Sequence, residues 1–424
     1  MSDLAPHYLV ITVGSTGDLH PFVSLASQLQ ALGRTVTVLT HSYYAARVAA
    51  AGLRCIALGN DEDYLALLRN PDIWHPQKSF AALLANYADG LREIGTAISQ
   101  LGAPASSVVI CHPFAVPAAA IAREQGLVAH IVAGILAPSN LKTCHDPLTI
   151  GPLSVPSWVP MSWRRAYWRL VERGWIDPVA LGEVNTLRRE QGLAPVTSFM
   201  NHLAHAPDLS LALFPDWFAP TQPDWPQPLL RGDFPLFEID AGQPLPDALA
   251  EFLAAGEPPL VFTAGTGNLH AARFFACALA ATQRLGQRAL LLSRERAQIP
   301  TELPASVLWQ PYVPLAQLLP HATALVHHGG IGSTAEALRA GIPQLITPFA
   351  WDQFDNGARI AALGCGLRLP ASRLSPARLA RTLGRLLDQA AFRQQARTQR
   401  THFATAPAGQ DMAQELEQAL SRLP

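Results

Sequence analysis

Between Leu325 and Gly366 the chain reads LVHHGGIGSTAEALRAGIPQLITPFAWDQFDNGARIAALGCG, a set of residue types suited to holding an anion beside a sugar. An apolar strand, Ala324-Leu325-Val326, runs into His327-His328-Gly329-Gly330-Ile331-Gly332-Ser333, and the pattern then predicts a helix from about Thr334 to Ala340. Glycines let a backbone approach an anion closely, and the N–H groups and dipole of a helix start favour negative charge. The segment therefore predicts a diphosphate cradle, with His328 as an added side-chain donor. Glu336 lies about two turns along the helix, within reach of a ribose hydroxyl. Beyond the next strand, Gln344 to Thr347, Asp352 and Gln353 offer a carboxylate and an amide to sugar hydroxyls.

Such a cradle needs a parallel sheet to carry it, and the rest of the chain supplies the pattern twice. Tyr8–Val13 predicts a strand, Gly14-Ser15-Thr16-Gly17-Asp18 a turn, Pro21–Leu32 a helix and Thr35–Thr40 a second strand. Val108–Ile110, Val116–Gln125 and Val128–Val132 continue the alternation. Pro259–Thr263, the turn Gly265-Thr266-Gly267, Ala271–Leu285 and Ala289–Leu292 repeat it in the second half. Strands alternating with helices imply parallel sheets with right-handed crossovers, whose ligands bind outside the carboxyl ends of the strands. A length of 424 residues is too great for one core and predicts two domains. Residues 1–219 and 247–400 are their expected bounds, joined by a linker over 220–246 where prolines are too dense for helix or central strand. Residues 401–424 are read as a closing helix.

Composition removes several alternatives. A net charge of −1, with no Lys/Arg run, gives no electrostatic basis for nucleic-acid binding. Five scattered cysteines without CxxC spacing fit reduced thiols. The N-terminus lacks the basic-then-apolar pattern of a signal peptide, and no apolar run approaches the ~18 residues of a spanning helix, so a cytoplasmic location is expected. Asp61-Glu62-Asp63 matches a DxD string, but its place before Tyr64-Leu65 reads as a solvated helix start, and no HExxH or zinc spacing occurs.

The Leu325–Gly366 segment resembles the donor-binding signature of the family-1 glycosyltransferases, the UDP-glycosyltransferase superfamily. His328 to Glu336 spans 8 residues and His328 to Asp352 spans 24, the family's offsets between its phosphate, ribose and sugar contacts. The resemblance implies the GT-B architecture: two facing Rossmann-like doubly wound domains, an interdomain cleft, and a last helix crossing back to the N-terminal domain. It implies a donor site of Ser15, Gly17, Gly265, Thr266, Trp309, Val313, His328, Gly329, Gly330, Gly332, Ser333, Glu336, Asp352 and Gln353, with Trp309 stacked on the nucleobase. With His328 and helix N–H groups holding the diphosphate, no metal and no cofactor beyond a dTDP- or UDP-linked sugar is expected. Gly17-Asp18-Leu19-His20-Pro21 resembles the family's G-D-x-x-P loop, which puts Asp18 at the catalytic base. A carboxylate at a helix start can take the acceptor's proton, or simply cap the helix. His20 is the alternative base. Where many relatives carry an Asp partner for the base, 14 residues before Gly126, this chain has His112, open to both a catalytic and a cleft-lining reading.

Whole-chain blocks such as DEDYLALLRNPDIWHPQKSF and LFPDWFAPTQPDWPQPLLRGDFPLF look most similar to the rhamnosyltransferases of rhamnolipid biosynthesis. That resemblance implies transfer of L-rhamnose from dTDP-L-rhamnose to a hydroxyalkanoyloxy-alkanoate, with peripheral contact to the inner membrane or to an acceptor-synthesising enzyme. Glu336 leaves UDP-sugars open, since a ribose 2′-hydroxyl would give it a second partner. Trp158, Trp163 and Trp168, in VPSWVPMSWRRAYWRLVERGW, form either an apolar acceptor wall or part of the core. A nucleotide-sugar 2-epimerase of the same fold would need no such wall.

Overall fold

The computed structural model describes residues 6–102, 106–146, 148–237, 244–404 and 411–423. It divides into two compact units: Met1–Ile73, Gln77–Ile239 and Pro407–Pro424 form the first, and Trp74–Pro76 with Asp240–Ala406 the second.

Unit 1 is built on strands β1 (His7–Ile11), β2 (Thr35–His41), β3 (Arg54–Leu58), β4 (Ser107–Cys111) and β5 (His130–Ile135). A small antiparallel hairpin, β6 (Leu148–Ile150) and β7 (Leu153–Val155), precedes β8 (Leu209–Ala212) and β9 (Leu229–Arg231). Seven of these strands form one sheet in the order β3-β2-β1-β4-β5-β8-β9, parallel throughout. β1 and β4 are neighbours with Ile11 opposite Cys111, and the strand order reverses between them. Their side chains are buried along almost the whole length, as a sheet covered by helices on both faces requires. Unit 2 repeats the plan with β10 (Leu260–Thr263), β11 (Ala289–Leu292), β12 (Val307–Gln310), β13 (Ala324–His327), β14 (Gln344–Ile346) and β15 (Gly366–Arg368). Its order is β12-β11-β10-β13-β14-β15, so the reversal falls between β10 and β13, where Thr263 pairs with His327. Ligands of such sheets bind at this reversal, beyond the carboxyl ends of the two strands.

Two sequence expectations change. The first helix does not wait for Pro21: it runs Thr16–Ala31, because Ser15 caps it and Asp18, in its first turn, completes a capping box. Pro21 sits inside, lacking the N–H that would have reached Gly17 O. The proline-dense stretch is not all linker: β9 lies within it and joins the unit 1 sheet at its edge, where a strand can border prolines. Residues 238–243 of that expected linker lie outside the described residues. The final helix, Asp411–Leu420, packs on the helix Thr16–Ala31 within unit 1. There Glu417 accepts from Arg34 Nε at 2.6 Å and Nη2 at 3.0 Å, and from Tyr8 OH at 3.1 Å. Asp61, Glu62 and Asp63 form the exposed first turn of the helix Asp61–Arg69, and the five cysteines are free. No described helix is long and apolar enough to cross a membrane.

Candidate functional site

Each sheet has a Gly-rich turn at its reversal of strand order, after β1 in one and after β13 in the other, and the chemistry of the two differs. The turn after β1 is closed by its own carboxylate. Asp18 Oδ2 accepts from Ser15 N at 2.6 Å and Ser15 Oγ at 3.0 Å, while Ser15 Oγ accepts from Gly17 N at 3.3 Å. Ser15 and Gly17, expected at the donor, are thus engaged in the helix cap. The carboxyl lies so near Gly14 that a Cβ there would stand 2.4 Å from Asp18 Oδ2, and Gly14 adopts φ +118°. A chain of hydroxyls pins the turn from behind: Thr16 Oγ1 to Tyr44 OH at 3.5 Å, Tyr44 OH to Tyr64 OH at 2.5 Å, and Tyr64 OH donating to Gly14 O at 3.1 Å. Neither tyrosine was singled out by its sequence context, because both lie far along the chain from the turn they hold.

With Oδ2 committed to the cap, Oδ1 of Asp18 faces His112 Nε2 at 3.9 Å. His112 directly follows β4, so the strand reversal itself brings the pair together. Its Nδ1 accepts from Phe114 N at 3.2 Å, which assigns the ring proton to Nε2. Burial lowers its pKa below the ordinary histidine value, with Asp18 opposing, so the ring is neutral at pH 7. His112 therefore presents an N–H to the carboxylate, not a lone pair to a substrate. Asp18 is both helix cap and candidate base, by different oxygens. His20 stands two residues on, its ring edge-on to Phe237 with centroids 6.4 Å apart.

The turn after β13 has no such plug. The helix runs Ile331–Ala340 and starts three residues earlier than the sequence pattern suggests, with Gly330 at the N-cap position and so no side-chain cap bond. The N–H groups of Ile331, Gly332 and Ser333 therefore precede the first intrahelical bond, Thr334 N to Gly330 O at 3.0 Å. His328 lies over this end, and the glycines serve its ring: a Cβ on Gly330 would come within 2.5 Å of Nε2, and one on Gly265 within 2.8 Å. Gly329, at φ +99°, has Ile346 and Gln353 against it in the same way. The glycines read from the sequence as making room for an anion thus also make room for an imidazole. Burial drives that imidazole's pKa down to about 4, and its Nδ1 is buried with no hydrogen-bond partner among the described residues. His327 points the other way. Its Nε2 meets Gln344 Oε1 at 2.9 Å, its Nδ1 accepts from Gly329 N at 3.2 Å, and Gln344 Nε2 donates to Thr334 O at 3.2 Å.

The remaining expected donor residues are placed as follows. Glu336 Oε2 is bonded to Arg339, at 2.5 Å to Nη2 and 3.1 Å to Nε. Asp352 Oδ2 accepts from Asn356 Nδ2 at 2.7 Å, and the same amide donates to Gly329 O at 2.9 Å, tying the sugar-side loop to the cradle. Gln353 is buried, its Oε1 taken by Phe349 N at 2.8 Å and Ala350 N at 3.1 Å, so its oxygen is occupied by its own loop. Trp351, between them, has φ +60°, a costly conformation for a bulky residue and the only non-glycine of positive φ among the described residues. Trp309 packs against the β10–β11 core, donates Nε1–H to Ser293 O at 2.9 Å and carries the Arg296 guanidinium 5.4 Å from its ring centroid. The Val313 side chain is buried in core, so only its backbone can meet a nucleotide. Gly265 N donates to Thr263 Oγ1 at 3.2 Å, and Thr266 is exposed.

The three tryptophans do not form one acceptor wall. Trp168 is buried and donates to Thr143 O at 2.7 Å, whereas Trp158 and Trp163 project into solvent. The helix Met161–Val171 carries buried Arg164 and Trp168 four residues apart on its inner face, so Trp163 is turned outward.

A helix start without a side-chain cap, the His328 imidazole and the Asp352 carboxylate tethered by Asn356 are thus gathered beyond the carboxyl end of β13. Residues 286–419 match the family model for the C-terminal domain of the erythromycin biosynthesis protein CIII-like proteins. The chain is 29% identical to O-mycaminosyltylonolide 6-deoxyallosyltransferase of Streptomyces fradiae, over 88% of this chain and 87% of that protein. It is 25% identical to a sterol 3-beta-glucosyltransferase of Arabidopsis thaliana, over 89% of this chain and 62% of that protein. The solved glycosyltransferase of kitacinnamycin superposes with TM-score 0.73 at 20% identity, covering 99% of this chain and 100% of that one. The spinosyn rhamnosyltransferase complexed with thymidine diphosphate does so with TM-score 0.66 at 20% identity, covering 97% and 100%. The chain is a GT-B glycosyltransferase.

One consequence can be measured without substrate. Burial, with His328 adding to it, lowers the His327 pKa to about 3, while the unfolded chain titrates near 6.5. A depressed histidine contributes stability above the unfolded value and loses it as pH falls towards the folded one. Between pH 7 and pH 5 that loss is on the order of 2 kcal/mol for this residue. Denaturant unfolding of His327→Gln should show a pH 7-to-5 loss smaller than wild type by about that amount. An equal loss in both proteins overturns the assignment.

Proposed function

We propose that the chain is an inverting, metal-independent glycosyltransferase that moves L-rhamnose from dTDP-L-rhamnose to the hydroxyl of a hydrophobic acceptor such as a hydroxyalkanoyloxy-alkanoate, giving a glycolipid. The observation that carries the donor half is the start of the helix Ile331–Ala340, without a side-chain cap, with the His328 ring beside it. The N–H groups of Ile331, Gly332 and Ser333 have no intrahelical acceptor, and diphosphate oxygens are acceptors that suit them. A thymidine diphosphate occupying a structural neighbour, and deoxysugar transferases among the relatives, favour a thymidine-linked donor.

In this reading the acceptor oxygen attacks the anomeric carbon as the bond from that carbon to the diphosphate oxygen breaks, inverting the centre. The hydroxyl proton passes to Asp18 Oδ1. His112 Nε2–H faces that same oxygen and holds the carboxylate in place. Negative charge grows on the diphosphate, where His328 and the N–H groups of Ile331, Gly332 and Ser333 meet it. Asp352, steadied by Asn356, takes sugar hydroxyls.

A second reading, a UDP-glucose-dependent glucosyltransferase acting on a lipid, sterol or aromatic aglycone, draws support from the sterol relative and from Glu336. Mass spectrometry of products from dTDP- and UDP-sugars, each offered with hydroxy-fatty-acid and sterol acceptors, separates the two. Release of an epimerised nucleotide sugar with no glycoside, or no turnover with any donor, overturns both.

Metal independence rests on the candidate cradle's donors, the N–H groups of Ile331, Gly332 and Ser333, which can meet diphosphate charge without a cation. Transfer should proceed at the full rate in EDTA. Loss in EDTA with recovery on adding Mg²⁺ or Mn²⁺ would show that the diphosphate needs a cation.

A further inference from the structure

The surface running from the hairpin β6–β7 through the helix Met161–Val171 is apolar where it meets water and cationic at its flank. Leu153 is 59% exposed, Trp158 81%, Trp163 71% and Leu170 70%, four of the five exposed large hydrophobic residues in the molecule's described part. Side chains of this kind normally turn inward, and Arg164 shows why these cannot. Its guanidinium occupies the inner face, donating to the carbonyls of Cys144, His145, Pro156 and Val159 at 2.9–3.0 Å. Those bonds fasten the Trp158 loop to the start of the helix. Trp163, Ala166 and Leu170, spaced three and four residues apart, then share the outward side.

The charges beside this ridge have one sign. Arg165, Arg169 and Arg173 are exposed and make no ion pair among the described residues. The single acidic residue between Leu148 and Ile176 is Glu172, which is buried and bonded to Lys142 Nζ at 2.7 and 2.8 Å. A protein partner would ordinarily meet a rim of both signs. Tryptophan and leucine on one side of a helix with arginines alongside match the chemistry of a bilayer interface, where indoles settle at headgroup depth and guanidinium groups meet phosphates.

The geometry points to this ridge as a peripheral docking surface for an anionic phospholipid bilayer. It does not depend on the acceptor proposed above. The apolar side chains enter the headgroup region, and the three arginines stay at its surface, each contributing roughly fivefold in affinity.

Co-sedimentation of the full chain with vesicles of phosphatidylcholine, and of phosphatidylcholine mixed equally with phosphatidylglycerol, tests it. Binding to the mixed vesicles, weakened by salt and accompanied by a blue shift of tryptophan emission, is expected. The double variant Trp163→Ala, Leu170→Ala should bind at least about tenfold more weakly, from the apolar area it removes. The triple variant Arg165→Glu, Arg169→Glu, Arg173→Glu should lose the preference for phosphatidylglycerol. All these positions are exposed, so melting temperatures should match wild type, which separates lost docking from lost folding. Absence of vesicle binding, or binding indifferent to both variants, overturns the proposal. A concentration-dependent dimer in light scattering that Leu170→Asp dissolves would assign the ridge to a second copy of the chain and overturn it equally.

Discussion

Asp18→Asn should lower sugar transfer by about 10²–10⁴-fold, the usual contribution of a positioned base, while thymidine diphosphate affinity stays at the wild-type value. The amide keeps the size of the carboxylate and an oxygen for Ser15 N, so most of the cap survives. What disappears is the lone pair able to take a proton. The nucleotide belongs to unit 2 in this reading and Asp18 to unit 1, hence the expected separation of turnover from affinity. Single-turnover rates and calorimetric titration measure the two quantities. His112→Ala should reduce transfer less, because His112 offers Asp18 an N–H and its lone pair is occupied by Phe114 N. If transfer survives in Asp18→Asn and is abolished by His20→Ala or His112→Ala, the proton goes to a histidine and the role assigned to Asp18 fails.

His328→Ala should cost on the order of 10²–10³ in turnover, about 2.7–4 kcal/mol, the typical loss of one donor to a charge that grows in the transition state. The ring also fills the space between Gly265 and Gly330, so the alanine variant leaves a cavity. Circular dichroism and melting must therefore accompany the rate, and His328→Gln, which restores an N–H of similar reach, should recover part of it. Wild-type turnover in a folded His328→Ala protein would remove His328 from the mechanism. Because burial holds the imidazole near pKa 4, no inflection near pH 6.5 should arise from this residue in the free enzyme.

The strand, glycine turn and helix of the candidate cradle were legible because their determinants are local. A strand, two glycines and a helix start within ten residues can be recognised from residue type alone, as can carboxylates at set distances along the same segment. Asn356 could have been found too: four residues after Asp352 it lies on the same helix face, and there it bonds both Asp352 and Gly329. The acceptor side was read less well. Trp158, Trp163 and Trp168 look alike in sequence, but their directions depend on Arg164, whose four carbonyl partners come from separate loops. Gln353 was assigned to the sugar because glutamine suits hydroxyls, whereas its oxygen is spent on two backbone N–H groups of its own loop.

By itself the sequence determined the alternation of strands and helices, the two parallel sheets and the glycine turn between β13 and its helix, since helix starts, turns and periodic burial are short-range properties. Only the tertiary structure decided that the two Gly-rich turns are chemically opposite. The first is sealed by the Asp18 carboxylate folding back on Ser15, and Tyr44 and Tyr64 lock it from distant segments. The second stays open because Gly265 and Gly330, from strands adjacent only in the folded sheet, yield space to the His328 ring and leave its helix uncapped. The count back from Gly126 pointed to His112 as a neighbour of Asp18, but the distance and the choice of oxygen come from the fold: β1 and β4 lie side by side at the reversal of strand order, and Asp18 Oδ1 faces His112 Nε2 at 3.9 Å.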